Sequence, residues 1–326
     1  MKVIIPVAGI GKRLRPHTYS TPKSLIKLAG KPVIAHVLET IKNLDVDEVI
    51  LVVSEKGEEI VKASSKYVPW KISYTLQREQ RGLGDAVYQA KEKVKKNDTL
   101  LIILGDTIAE GPIEKEIKKG EDFVGVKKVE NPRRFGVIEL GRDGRIIGVE
   151  EKPDEPKSNW AIVGVYFFTD PQKLFESIEY IIERNLMTKG EYQLTDALAF
   201  MLERGWRPKL LEIEGWYDCG KVDALLDTHR ILVERNKKAP PLENSLLIHP
   251  VFIDDDAEIV NSVVGPYVSC DRGTKIKNSI ISDSIIGEAT VVENLIIYHS
   301  LLGNRVKLSG EKRSFNIGDD SQGKLV

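Results

Sequence analysis

Lys12, Arg13, Arg15 and Lys23 gather four cations directly after an apolar run, Val3-Ile4-Ile5-Pro6-Val7, and beside Gly9 and Gly11. Glycines that follow a strand let backbone N–H groups approach a polyphosphate, because no Cβ blocks the contact and positive φ costs little. A guanidinium fork suits phosphate oxygens, and a lysine adds a point charge for a second phosphate. Ala8-Gly9-Ile10-Gly11-Lys12-Arg13-Leu14-Arg15-Pro16, with Thr21-Pro22-Lys23 behind it, therefore reads as a cradle for a nucleoside triphosphate. The alternative is a solvated basic turn. Two commoner phosphate motifs are excluded. A dinucleotide fingerprint needs a third glycine where Leu14 stands, which argues against hydride transfer. A P-loop needs Ser or Thr after Gly-Lys, where this chain has Arg13, and a glycine where it has Pro6.

Further polar residues stand at the ends of apolar runs. Leu100-Leu101-Ile102-Ile103-Leu104 ends in Gly105-Asp106, and open α/β sheets bind ligands beyond the carboxyl ends of their strands. Gly215-Trp216-Tyr217-Asp218-Cys219-Gly220 supplies a second aspartate in a glycine-bounded turn before a helix. Two such carboxylates can hold one Mg²⁺, which commonly takes one or two protein carboxylates plus substrate phosphates. Gln77 precedes Gly82-Leu83-Gly84-Asp85-Ala86 at a helix start, and its primary amide offers both a donor and an acceptor to a base edge. Each has a plainer alternative: a cap for Asp106, a polar strand end for Gln77, a solvated pair for Glu151-Lys152.

These residues need a scaffold, and the periodicity up to about residue 236 provides one. Apolar runs at 2–8, 48–54, 71–76 and 99–104 read as strands buried on both faces. Helical patterns fall between them at 32–44, 57–66 and 83–96. The expected fold is an open Rossmann-like α/β sheet. Shorter β-type runs at 122–168 read as an antiparallel lobe attached to it, followed by helices at 171–186, 191–204 and 221–236. Lys237-Lys238-Ala239-Pro240-Pro241 reads as a linker between a domain over 1–236 and another over 243–326. In the second, Ser262-Val263-Val264, Ser279-Ile280-Ile281, Ser284-Ile285-Ile286 and Ser300-Leu301-Leu302 repeat one theme, as hexapeptide units closing the coils of a β-helix do. A sandwich with recurrent turns is the alternative.

Composition narrows the function classes. With 326 residues the chain is long enough for two cored domains, and a net charge of −1 gives no basic excess for nucleic acid. No run approaches the roughly 20 apolar residues of a membrane span, and none has signal length. Cys219 and Cys270, far apart, point to neither a disulfide framework nor a metal cluster. The expected setting is cytoplasmic.

The ordered set Gly9, Arg13, Pro16, Thr18, Pro22-Lys23, Gln77, Gly82, Gly105-Asp106, Phe135-Gly136-Val137, Glu151-Lys152-Pro153, Trp216 and Asp218 resembles the sugar-phosphate nucleotidyltransferases. The most similar branch is that of glucose-1-phosphate thymidylyltransferases and uridylyltransferases, whose longer members end in a left-handed β-helix. The resemblance implies that Ala8, Gly9, Gly11 and Arg13 hold the triphosphate while Gln77 and Gly82 read the base. It implies Gly136, Glu151 and Lys152 for the sugar phosphate, Arg13, Lys23 and Lys152 as catalytic cations, and Asp106 and Asp218 for Mg²⁺. Departures are Lys12 for the usual Thr or Ser, Ala8 for a frequent Gly, and Lys221 for a common Thr. The implied reaction joins a nucleoside triphosphate, dTTP or UTP, to a sugar-1-phosphate such as glucose-1-phosphate and releases pyrophosphate. A homo-oligomer is expected. Alternatives are a mannose-1-phosphate guanylyltransferase and a non-catalytic nucleotide-sugar sensor, and the tail is expected to serve assembly or regulation and not acyl transfer.

Overall fold

A computed structural model of the chain describes residues 1–54, 57–242 and 244–311. Position 243 and the end of the expected second domain, 312–326, lie outside the described residues. Contacts divide the chain into two compact units, one of residues 1–27 and 31–228, the other of residues 28–30 and the chain from His229 onward.

The first unit is built on a nine-stranded mixed sheet. Its centre is β1 (Lys2–Pro6), whose Val3, Ile4 and Ile5 are fully buried. β1 pairs in parallel with β2 (Glu48–Val53) on one side and β4 (Leu100–Ile103) on the other, and β3 (Lys71–Leu76) extends the sheet beyond β2. β5 (Thr107–Glu110) leaves this sheet and pairs with a later ribbon strand, β11 (Gly215–Asp218). The run at 122–168 is antiparallel and attached to the parallel strands, as the sequence reading has it, and it continues the same sheet. β9 (Trp160–Phe168) pairs antiparallel with β4 through Val165–Phe168 and also carries β6 (Phe123–Lys128) and β7 (Gly136–Leu140). β8 (Ile146–Glu151) pairs with β7, and β10 (Lys209–Glu212) with β6. One long strand with a register shift between Ile162 and Tyr166 therefore joins both groups into one sheet.

Helices α1 (Val33–Glu39), α2 (Gly57–Ser64), α3 (Leu83–Tyr88), α4 (Ile113–Ile117), α5 (Pro171–Glu183) and α6 (Leu194–Glu203) complete the unit, and α7 (Val222–Arg235) begins in it. α1 and α3 stop earlier than the apolar spacing predicts. After α3, the Thr75 hydroxyl donates to the Gln89 carbonyl at 2.9 Å, and Lys93 N turns to Ala90 O at 3.0 Å, so the chain tightens into a 3₁₀ turn at Lys91–Lys93.

The second unit stacks three columns of parallel strands. Leu246, Val263, Ile280 and Ile296 share one register, Val251, Val268, Ser284 and Ser300 a second, and Glu258, Lys275, Val291 and Lys307 a third. Each coil thus advances 16 or 17 residues and turns three corners. Val251, Ile253, Ile259, Val264, Val268, Ile276 and Ile281 fill the interior. The serine theme has a local cause. Asn261, Asn278 and Asn294 take φ of 49°, 50° and 56° at one corner, which Asn tolerates better than most residues. The serines after Asn261 and Asn278 each accept from the next coil: Ser279 N donates to Ser262 Oγ at 3.1 Å, and Leu295 N to Ser279 Oγ at 3.2 Å. Arg230, on the last turns of α7, docks on the same unit, donating to both Asp283 oxygens at 2.6 Å.

At the start of the first unit's parallel strands, buried Glu48 lies between Lys2 at 2.8 Å and Lys71 at 3.1 Å. Burial alone would raise its carboxyl, but the bonds from Lys2 and Lys71 outweigh it and bring the pKa down to about 2. A depressed carboxylate stabilises the fold fully above its ordinary value of 4.5, and that contribution is lost as pH falls toward about 2. Glu48→Gln is expected to cost about 2–3 kcal/mol at pH 7 and to flatten the acid limb of stability. Urea denaturation at pH 7 and pH 3 checks this; an identical pH slope in variant and parent would refute it.

Candidate functional site

A cleft of about 480 Å³ opens at the carboxyl ends of β1 and β4. Ala8, Gly9, Gly11, Lys12, Arg13, Lys23, Gln77, Gly82, Asp106 and Gly220 line it. The basic loop is a folded structure and not a loose turn. Leu14 is fully buried, the chain makes 3₁₀ turns at Lys12–Leu14, His17–Tyr19 and Lys23–Leu25, and Thr18 Oγ1 donates to Gly11 O at 2.8 Å. Gly11 has φ +62°, and a Cβ there would stand 2.8 Å from Thr18 Cγ2. The closure that sets Thr18 and Lys23 against the loop thus needs glycine.

Opposite the loop, β5 and β11 bring together aspartates far apart in sequence. Asp218 pairs with Thr107 in register, and Cys219 N donates to Asp106 O at 3.0 Å. Asp218 Oδ1 accepts from Gly220 N at 2.7 Å, and a Cβ on Gly220 would stand 3.0 Å from Arg13 Nη2, so Arg13 and Asp218 meet at that glycine. Lys23 forms an ion pair with Asp106. Among the described residues no group of three or more His, Cys, Asp or Glu is arranged to hold a metal ion, so any cation there relies on these two carboxylates and its ligand.

Gly136, Glu151 and Lys152 form a second cluster and do not line the cleft described above. Glu151 pairs with Gly136 across β8 and β7. Its Oε1 lies 2.8 Å from Lys152 Nζ, and its Oε2 accepts from Thr195 Oγ1 at 3.0 Å. Lys152 holds φ 45°, unusual for a lysine, and Lys189 Nζ donates to its carbonyl at 3.1 Å. Close by, burial pushes the Asp196 carboxyl above its usual range, and the charge of Glu151 adds to the effect. Phe135, next to Gly136, meets Trp216 of β11 edge-on at 4.9 Å, which joins this cluster to the aspartate ribbon.

Sequence reasoning missed several of these groups. Thr195 orients Glu151 from a helix more than 40 residues downstream, so no local spacing reveals it. Ser24, Gln80 and Glu191 line the cleft, and the Ser24 hydroxyl is buried without a protein partner. Its place after Pro22-Lys23 was the available signal. Asp85 stood inside a motif read for its glycines.

The nucleotidyl transferase family profile matches residues 2–235, which includes every residue of both clusters. The chain belongs to that family. It is a sugar-1-phosphate nucleotidyltransferase, in line with relatives that match almost end to end. A glucose-1-phosphate thymidylyltransferase of Streptomyces griseus is 32% identical over 96% of this chain and 90% of its own length. The bifunctional protein GlmU of Methanocaldococcus jannaschii is 37% identical over 79% of this chain, which spans 61% of that longer protein. A Bacillus anthracis structure described as a glucose-1-phosphate thymidylyltransferase, solved with sucrose, superposes with a TM-score of 0.62 at 28% identity over 74% of this chain and 98% of its own.

Within this transferase, Gly82 at the cleft wall has φ +109°, and a Cβ would approach Tyr192 O to 2.6 Å. Gly82→Ala is expected to lose about 1–3 kcal/mol of stability from strain alone. A thermal unfolding midpoint within about 1 °C of the parent would show that the turn relaxes freely.

Proposed function

We propose that this transferase moves a nucleotidyl group from dTTP or UTP to glucose-1-phosphate, releasing pyrophosphate. The observation that carries the proposal is the meeting, around one cleft, of the basic loop, the Gln77 and Gly82 pair and the Asp106 strand end. The thymidylyltransferase relative that matches over nearly its whole length favours this choice of substrates.

The sugar-phosphate oxygen attacks the α-phosphorus, and the bond to the bridging oxygen of pyrophosphate breaks. The attacking oxygen is already anionic at neutral pH, so no general base is needed, and the work is to align two polyanions and neutralise their charge. Arg13 carries charge stabilisation on the departing pyrophosphate. Lys12 adds a cation at the same loop, and Glu151 with Lys152 orients the sugar phosphate. Lys23 pairs with Asp106, and a substrate phosphate would compete for the same ammonium. Asp106 and Asp218 suit Mg²⁺, which takes one or two carboxylates together with phosphate oxygens. When bound it would offset charge on the α- and β-phosphates.

In this reading the domain over 1–236 contains all the chemistry, and the three-columned solenoid is a left-handed β-helix serving assembly. Leu246, Ile280 and Ile296 lie in one exposed aliphatic column, a surface for a homo-oligomer. Two buried cysteines without a disulfide suit a reducing compartment, and the cytoplasm is the setting we assign. No helix among the described residues is long and apolar enough to cross a membrane.

A steady-state panel tests the substrates: dTTP, UTP, CTP, GTP and ATP against glucose-1-phosphate, mannose-1-phosphate and glucosamine-1-phosphate, read as pyrophosphate release. dTTP or UTP with glucose-1-phosphate is expected to give the highest kcat/KM. A preference for GTP with mannose-1-phosphate would replace this reading by a guanylyltransferase, and tight binding without release would make the protein a sensor. Asp106→Asn and Asp218→Asn are each expected to lower turnover about a hundredfold or more at limiting Mg²⁺. Parental activity in either would remove that residue from the metal site. For assembly, Ile280→Glu with Ile296→Glu is expected to lower the mass found by light scattering while leaving turnover intact; unchanged mass would exclude that column as the interface.

A further inference from the structure

We propose that Asp85 is the positioning residue that decides which nucleobase the cleft accepts, by fixing the Gln77 amide with only its oxygen left for the base. The inference rests on the nucleotide-cleft reading above. Gln77 lines the cleft yet is only 4% exposed, and Nε2 already donates twice: to Gly82 O at 3.0 Å and to Asp85 Oδ2 at 2.9 Å. A primary amide has two N–H hydrogens, so both are used. The opposite amide orientation would set the Gln77 oxygen against a carboxylate and a carbonyl, two acceptors that cannot pair with it. The expectation that this amide shows a base both a donor and an acceptor is therefore corrected: in this fold it shows an acceptor.

Asp85 is itself held so that it cannot release Gln77. It is 1% exposed, and its other oxygen, Oδ1, accepts from Arg81 Nη2 at 2.5 Å and Gln89 Nε2 at 3.2 Å. The frame around it is closed by Tyr192, whose N–H donates to Arg81 O at 2.8 Å and whose carbonyl accepts from Gly84 N at 2.8 Å. The Arg81 guanidinium also lies 5.6 Å from the centre of the Tyr192 ring. Arg81 and Gln89 thus claim one carboxylate oxygen, and the other is reserved for Gln77.

An acceptor in this position selects by polarity. Uracil and thymine present a ring N3–H, and guanine a ring N1–H, each able to donate to the Gln77 oxygen. Cytosine and adenine present a bare ring nitrogen at the corresponding point, an acceptor facing an acceptor, which a desolvated site rejects. The chemical class admitted is a base with a ring N–H flanked by carbonyl, and guanine is left to be judged by size.

The decisive variant is Asp85→Asn. Arg81 and Gln89 keep the amide oxygen of the new side chain, so its NH₂ group faces Gln77; only Gly82 O then holds Gln77 Nε2, and turning the amide trades that bond for one accepted from the new NH₂ group and sets the Gln77 nitrogen toward the cleft. Calorimetric titration of UTP, dTTP and CTP, in Mg²⁺ and without sugar phosphate, reads the result apart from turnover. The parent is expected to bind UTP about tenfold or more tightly than CTP, and the folded variant to bring that ratio close to one. A folded Asp85→Asn protein with the parental ratio overturns the proposal. Where the variant does not fold, the parent decides through N3-methyl-UTP, which lacks the donor: affinity reduced about tenfold or more supports the proposal, and affinity equal to that of UTP overturns it. Pyrophosphate release is measured on the parent separately, so that its absence with every substrate pair defeats the transferase reading while the binding ratio still judges Asp85.

Discussion

The site depends on the two-sided pairing of one strand. Lys2–Pro6 is hydrogen-bonded in parallel to Glu48–Val53 and to Leu100–Ile103, with nothing on it reaching solvent through Val3, Ile4 and Ile5. Parallel pairing forces neighbouring strands to end on the same side, so the loop after Pro6 and the Gly105-Asp106 turn leave the sheet together. Gly105 N donates to Pro6 O at 3.2 Å, and a Cβ on Gly105 would stand 2.2 Å from Val7 Cγ1. Basic loop and acidic turn are thereby held in contact by backbone geometry.

That proximity makes charge placement the next problem. A cleft intended for polyanions must hold cations at high local density without collapsing them onto nearby acids. The fold gives most of these acids a fixed task. Asp106 holds Lys23, Asp218 accepts from Gly220, Glu151 is shared between Lys152 and Thr195, and Asp85 serves Arg81, Gln77 and Gln89. Each pairing costs little to rearrange where it is exposed and much where it is buried. Asp106 is one-third exposed on its side chain, so its lysine pair costs little to rearrange; Asp85 is buried, and its pairs cost much.

How much of this was legible in the sequence follows from the range of each interaction. The parallel core could be read because runs such as Val49–Val53 are buried on both faces and leave an unbroken apolar trace. The basic loop could be read because glycine and cations lie within one turn of each other. The single mixed sheet could not: Trp160–Phe168 changes partners partway along, and nothing in its composition marks where β4 takes over from β6. Thr195 and the role of Asp85 were hidden for the same reason, since each acts on a residue placed beside it only by tertiary folding.

The second unit shows the opposite balance. Its strands are two to seven residues long, too short for propensity to decide, yet its repeat was visible because one corner is turned by the same pair in successive coils, Asn244-Ser245, Asn261-Ser262 and Asn278-Ser279. Asn at positive φ turns the chain, and the following serine satisfies an amide of the next coil, so the pattern must recur once per coil and not once per strand. At the second corner the turning residues are Tyr267, Asp283 and His299, three unlike side chains with φ of 58°, 48° and 48°, yet a serine still follows two of them, and Ser300 N donates to Ser284 Oγ at 3.1 Å. Asp283 is also the residue that Arg230 of α7 grips, with His299 Nδ1 2.6 Å from the same carboxylate. The second corner keeps the serine and varies the turning residue, while the first keeps the asparagine and has Leu295 in place of the serine after Asn294, which is why the repeat reads as irregular although the coils advance by 16 or 17 residues.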